Sequence, residues 1–231
     1  MNASTTTPVV PALVARALRA GTTVTPAGRW TSVAGAAYVT GWVAGIAIAP
    51  NGPGTEPVAV HDYYVSHAPQ VVVQALLVHG LAGVALAVLA LVLPRALGSG
   101  GRPAAVVRTS GLAAAAVSLV QTALTLVAVA RADSDTPGTT ASLVDAVDVA
   151  DTVKLVLLSV FVAAVTLAAR RAGMLPRWMS GVAIALVVLL PLGGASFLVT
   201  NGLLATLLIV SLPVLLLWAG TVALVVGRRA Q

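Results

Sequence analysis

Six long apolar runs, at about 31–50, 70–93, 104–130, 143–169, 178–199 and 203–227, alternate with short polar stretches that hold most of the charge. Each run has roughly the 20 residues that a helix rising ~1.5 Å per residue needs to cross a ~30 Å hydrocarbon core. The runs must be helical, because lipid offers no partner to a backbone amide and they are too long for barrel strands. The pattern predicts an all-α fold, a polytopic six-helix transmembrane bundle with both termini cytoplasmic. One transmembrane domain covers 30–231, preceded by an arm at 1–29. In the arm, Val10, Leu13, Val14, Ala17 and Leu18 recur at helical spacing with Arg16 and Arg19 on the other side, which predicts a short interfacial amphipathic helix.

Composition agrees with the pattern. Of the 231 residues 58% are hydrophobic and only 9% charged, against roughly 25% charged in soluble proteins. A formal charge of +6 would suggest nucleic acid in a soluble chain, but here the arginines lie at the ends of apolar runs and act as topology signals. If the spans alternate, eleven of the thirteen basic residues share one side, and Glu56, Asp62, Asp133, Asp135, Asp145, Asp148 and Asp151, every acid in the chain, fall toward the other. The basic side is then cytoplasmic, and the expected location is the cell membrane. The partner this implies is the lipid bilayer, with no nucleic acid. The chain has no cysteine, no glycine-rich phosphate loop, no G-x-S-x-G and no H-E-x-x-H. Thiol chemistry and soluble nucleotide-dependent catalysis are excluded, and no cofactor or metal is expected.

Gly41 and Gly45 form a small-xxx-small pair in the first span, and Gly80, Gly83, Gly111 and Ala115 would allow close helix approach in the next two. The link at Thr200, Asn201 and Gly202 is so short that spans 5 and 6 must form an antiparallel hairpin, and Pro191 and Pro213 are expected to kink them. Before span 5, Gly173, Leu175, Pro176, Trp178 and Gly181 fit a G-x-L-P-x-W-L-G pattern, with Met179 in place of its leucine. In this motif the chain resembles a family of uncharacterised bacterial six-span inner-membrane proteins. The resemblance implies architecture and carries no activity, and the motif also explains itself, since Pro176 starts a helix and Trp178 suits the headgroup level.

Candidate chemistry centres on span 4. Asp145, Asp148 and Asp151 stand at its mouth, followed by Lys154, the only lysine in the chain. At 100° per residue Asp145, Thr152, Ser159 and Thr166 share a face with Asp148 beside them, while Asp151 and Lys154, one turn apart, can pair. Span 3 offers a facing stripe of Gly111, Ser118, Gln121, Thr122 and Thr125. Span 2 adds Gln70 and Gln74 on one face and His79 on a different one, and the outer loop before it holds His61, Asp62 and His67 with Tyr63 and Tyr64. Three readings stay open: a solvated ledge, an embedded functional site, and a purely structural buried Asp151–Lys154 pair. If the span is only 153–169, the aspartates are a solvated ledge, Ser142 and Asp145 form a capping pair, and Lys154 snorkels to the interface. If the span begins at Leu143, the charges must face the bundle interior, because a charge in mid-bilayer costs ~3 kcal/mol or more.

His61, Asp62 and His67 match no metal spacing, a lone His79 is as well explained by a bond to a neighbouring helix, and Trp30, Trp42, Tyr63 and Tyr64 read as interfacial aromatics. The favoured function is an outward-facing intramembrane site of Asp145, Asp148, Asp151, Lys154, Gln121, His79 and Gln74 that binds or moves protons, a cation or a small polar solute. One alternative is a membrane-embedded enzyme using a carboxyl as general acid on a lipid or isoprenoid substrate; another is a structural or accessory subunit. No catalytic residue is assigned. The chain lacks a clear internal repeat, so a homo-oligomer or membrane partner would have to supply further size.

Overall fold

The computed structural model describes residues 25–48, 52, 54–199 and 201–229, and the interfacial helix expected in the arm lies outside them. Seven helices result: α1 Pro26–Ile48, α2 Pro57–Ser66, α3 Ala68–Ala96, α4 Gly101–Arg131, α5 Pro137–Arg171, α6 Trp178–Gly194 and α7 Gly202–Arg229. All but α2 are long and apolar enough to cross a membrane, the short Ala195–Phe197 turn extending α6, and no strand occurs among the described residues. This is the build of an integral, multi-pass membrane protein. Large apolar side chains such as Leu217, Ile209 and Leu203 project outward, as lipid-facing positions do.

The six spans form a closed ring in chain order, each packed against its sequence neighbours and α7 closing against α1. Alternation around the ring gathers Arg29, Arg95, Arg102, Arg170, Arg171, Arg177, Arg228 and Arg229 at one end and Glu56, Asp62, Asp133, Asp135 and Asp145 at the other. At the basic end Arg229 donates to the Gly173 carbonyl at 2.9 Å, tying the last helix to the α5–α6 turn. That turn is a Schellman motif: the Met174 amide bonds the Ala169 carbonyl and the Gly173 amide the Arg170 carbonyl, each at 2.9 Å. Gly173 takes φ +67°, a left-handed conformation that glycine adopts without strain.

Several expected boundaries move. α1 starts at Pro26, inside the stretch assigned to the arm. α5 starts at Pro137, where Thr136 caps it by accepting from the Thr139 amide. Ser142 therefore lies within the helix, donating to the Gly138 carbonyl at 2.9 Å, and the expected Ser142–Asp145 capping pair does not exist. The polar segment expected as a loop before span 2 is the helix α2, laid across the acidic end through a small apolar cluster of Val60, Tyr64, Val71, Ala128 and Ala132. Helix continues through both Pro191 in α6 and Pro213 in α7, and α3 carries a π-helical segment at Leu76–Leu81, which contains no proline.

Candidate functional site

The acid ladder of α5 climbs from solvent into the core. Asp145, Asp148, Asp151 and Lys154 are spaced by three, so each step turns the side chain about 60° backward around the helix and the set rises ~13 Å. Asp145 is exposed and Asp148 half-buried; the Asp151 side chain is 14% exposed and that of Lys154 only 2%. The snorkelling alternative for Lys154 is thus overturned, because the ring of helices gives it partners that the interface would otherwise supply.

Those partners come from three helices. Lys154 Nζ pairs with Asp151 Oδ1 one turn back on α5. It donates to Gln121 Oε1 of α4 at 2.8 Å and lies 3.3 Å from His79 Nδ1 of α3. An ammonium has three protons and no lone pair, so these three acceptors saturate it. His79 must then accept at Nδ1 and carry its own proton on Nε2. The ring of Trp42, on α1, completes the shell with its centroid 5.5 Å from Nζ. Gln121 is wholly buried, and its amide nitrogen donates to the Val147 carbonyl at 3.1 Å, so both ends of the amide are committed and its orientation is fixed. Burying an ammonium is tolerable only with such complete pairing.

His79 lies in the π-helical segment, a distortion that often accompanies functional sites. On the acidic side of it a cavity of about 120 Å³ opens among the helices, lined by Tyr64, Gln74, His79, Thr125 and Val147 with smaller apolar residues. Gln74 and His79, expected on different faces, meet at this cavity. Thr152 donates to the Gly194 carbonyl at 2.9 Å, joining the site's helix to the end of α6.

The remaining candidates disperse. His61 Nδ1 is 3.2 Å from Thr140 Oγ1 of α5, whereas His67 Nδ1 bonds Ser66 Oγ at 2.8 Å and its ring stacks on Tyr63 at 4.7 Å. Asp62 and Gln70 are exposed, and no group of three potential metal ligands occurs among the described residues. Of the expected interfacial aromatics Trp30 is exposed, but Trp42 and Tyr64 are buried. Trp42 is the site residue the sequence reading missed; its place between Gly41 and Gly45, on the face where α1 approaches α3 most closely, was the available signal.

Tyr64 gives the cavity a measurable reporter. Burial, and after it the charge of Asp148, push its phenol up from the ordinary 10 to about 12. The fold thus holds this proton more tightly than the unfolded chain does, and the stability it contributes is complete below pH 10 and lost as the pH rises through 12. Tyrosinate absorbance should therefore resolve one phenol titrating near 12, and Asp148→Asn should bring that step down. An unchanged step would place Asp148 out of reach of the cavity.

Comparison with protein-family models, curated proteins and solved structures found no match for this chain.

Proposed function

We propose that this chain is a proton-linked binding or transport protein for a small polar solute, held in the cell membrane with its basic end and both termini in the cytoplasm. The observation that carries this reading is the Lys154 ammonium, saturated by Asp151, Gln121 and His79 behind a cavity on the acidic side of the ring. Ionisable groups this deep are costly to keep, and a purely structural contact would be made more cheaply by apolar packing. A proton entering the cavity meets His79 first; adding it there, or to Asp151, removes an acceptor from Lys154 and leaves the ammonium free to bind a solute's carboxylate or carbonyl. A metal cation is disfavoured there, because the ammonium already occupies the centre. The excess of arginine at one end supports the orientation, and the motif from Gly173 to Gly181 supports kinship with the uncharacterised six-span family.

Proton movement is the direct test. In proteoliposomes with an internal pH dye, an imposed pH gradient and potassium with valinomycin to balance charge, the wild type should dissipate the gradient faster than Asp151→Asn and than protein-free vesicles. Equal rates for wild type, a monodisperse Asp151→Asn and empty vesicles would sink the proton link.

A further inference from the structure

A second feature lies on the outer surface at the basic end, away from the Lys154 cluster. Between α5 and α6 runs a groove of about 360 Å³ whose chemistry changes in order along its length: Arg170, then the hydroxyls of Thr166 and Ser180, then Ile184, Val187 and Val188. Arg170 has no acidic partner among the described residues, and every acid of the chain lies in the other half of the molecule.

The hydroxyls are the informative part. Serines and threonines inside these helices usually bond a carbonyl three or four residues back: Thr109 to Ala105, Ser110 to Val106, Thr122 to Ser118, Thr152 to Asp148, Ser159 to Val156. Thr166, only 6% exposed, does not, and neither does Ser180; both oxygens are buried and without a hydrogen-bond partner. Only four buried polar side-chain atoms among the described residues lack a partner, and two of them meet in this one groove. An unmade hydroxyl bond in an apolar setting costs ~1–3 kcal/mol, so an acceptor is expected from outside the protein. Thr166 stands one helical turn, ~6 Å, deeper than Arg170. That is the order of a phospholipid read from its head: phosphate, ester carbonyls, acyl chain. Across the ridge of Ala163 and Leu167 lies another apolar groove, of about 370 Å³, with Arg102 at its basic end.

We propose that this face is a seat for one anionic diacyl phospholipid. Its phosphate lies on Arg170, its ester carbonyls accept from Thr166 and Ser180, and its two chains fill the grooves on either side of Leu167. Inter-helix basic pockets on one leaflet can select anionic headgroups in this way.

Native mass spectrometry of the delipidated full chain, titrated with dioleoylphosphatidylglycerol or dioleoylphosphatidylcholine, tests the seat. One equivalent of the glycerol lipid should bind about tenfold more tightly than the choline lipid. Arg170→Gln should erase that preference. Thr166→Val, which changes one atom, and Ser180→Ala should weaken both lipids several-fold. Ala163→Phe, at an exposed ridge position, should block both grooves. Equal affinity of the two lipids for the wild type overturns the proposal. So does phosphatidylglycerol binding that falls with Arg170→Gln but ignores Thr166→Val and Ser180→Ala, which would indicate surface attraction only.

Discussion

Lys154→Met should destabilise the folded bundle by about 3–5 kcal/mol, the cost of removing one partner of a buried ion pair. Methionine keeps the length of the stem but donates nothing, so the Asp151 carboxylate, Gln121 Oε1 and His79 Nδ1 lose their shared donor at once. Trp42 also loses the cation near its ring. The informative companion is Asp151→Leu with Lys154→Met, in which no charge is left stranded. Stability measured by unfolding in mixed micelles should return to within about 1 kcal/mol of wild type, as apolar replacement of whole buried pairs often allows. Proton flux should stay lost. A double variant regaining both stability and flux would make the pair structural; a single variant as stable as wild type would mean that Lys154 is not paired in the membrane.

Why half of this cluster was legible in the sequence and half was not has a physical basis. Span number, the alternation of charge between ends and the Asp151–Lys154 pairing follow from hydropathy and from the 100° step, both local properties. Gln121 was legible for the same reason, standing in a polar stripe on an apolar helix. The start of α5 is in the sequence too, since Thr136 before Pro137 is a capping signal, but it precedes the apolar run and so leaves no mark on the hydropathy. His79 is different. Counting 100° per residue from Gln74 sets the two on separate faces, whereas the i+5 bonding of Leu76–Leu81 advances fewer degrees per residue and brings both to one cavity. No proline announces that segment, and Gly80 within it and Gly83 just after it read equally as close-packing positions. Trp42 escaped notice because aromatic enrichment at interfaces is a statistical rule about depth and says nothing of facing, and its ring faces Lys154 inside the bundle.

The docking of α1 on α3 supplies the other large effect. Gly45→Ala should cost about 1–3 kcal/mol, the usual penalty for overpacking, because its new Cβ would overlap a Val78 methyl. Gly41→Ala should cost at least as much, since there the Cβ would stand 2.8 Å from the Leu77 carbonyl oxygen, which is backbone and cannot turn aside. Both neighbours belong to the π-helical segment, so either variant pushes α1 off the distortion that positions His79, and Trp42 moves with it. The single lysine makes this visible: in selectively 15N-lysine-labelled protein the Nζ resonance should shift in both variants. Val78→Ala removes the methyls that Gly45→Ala strikes, so the double variant should be more stable than the sum of the two losses. The same substitution cannot relieve Gly41→Ala, because the obstructing atom there is a carbonyl. Additive losses at Gly45 and Val78, or an unmoved lysine resonance in Gly41→Ala, would show that α1 does not press on the π-helical turn and that Trp42 has no part in holding the ammonium.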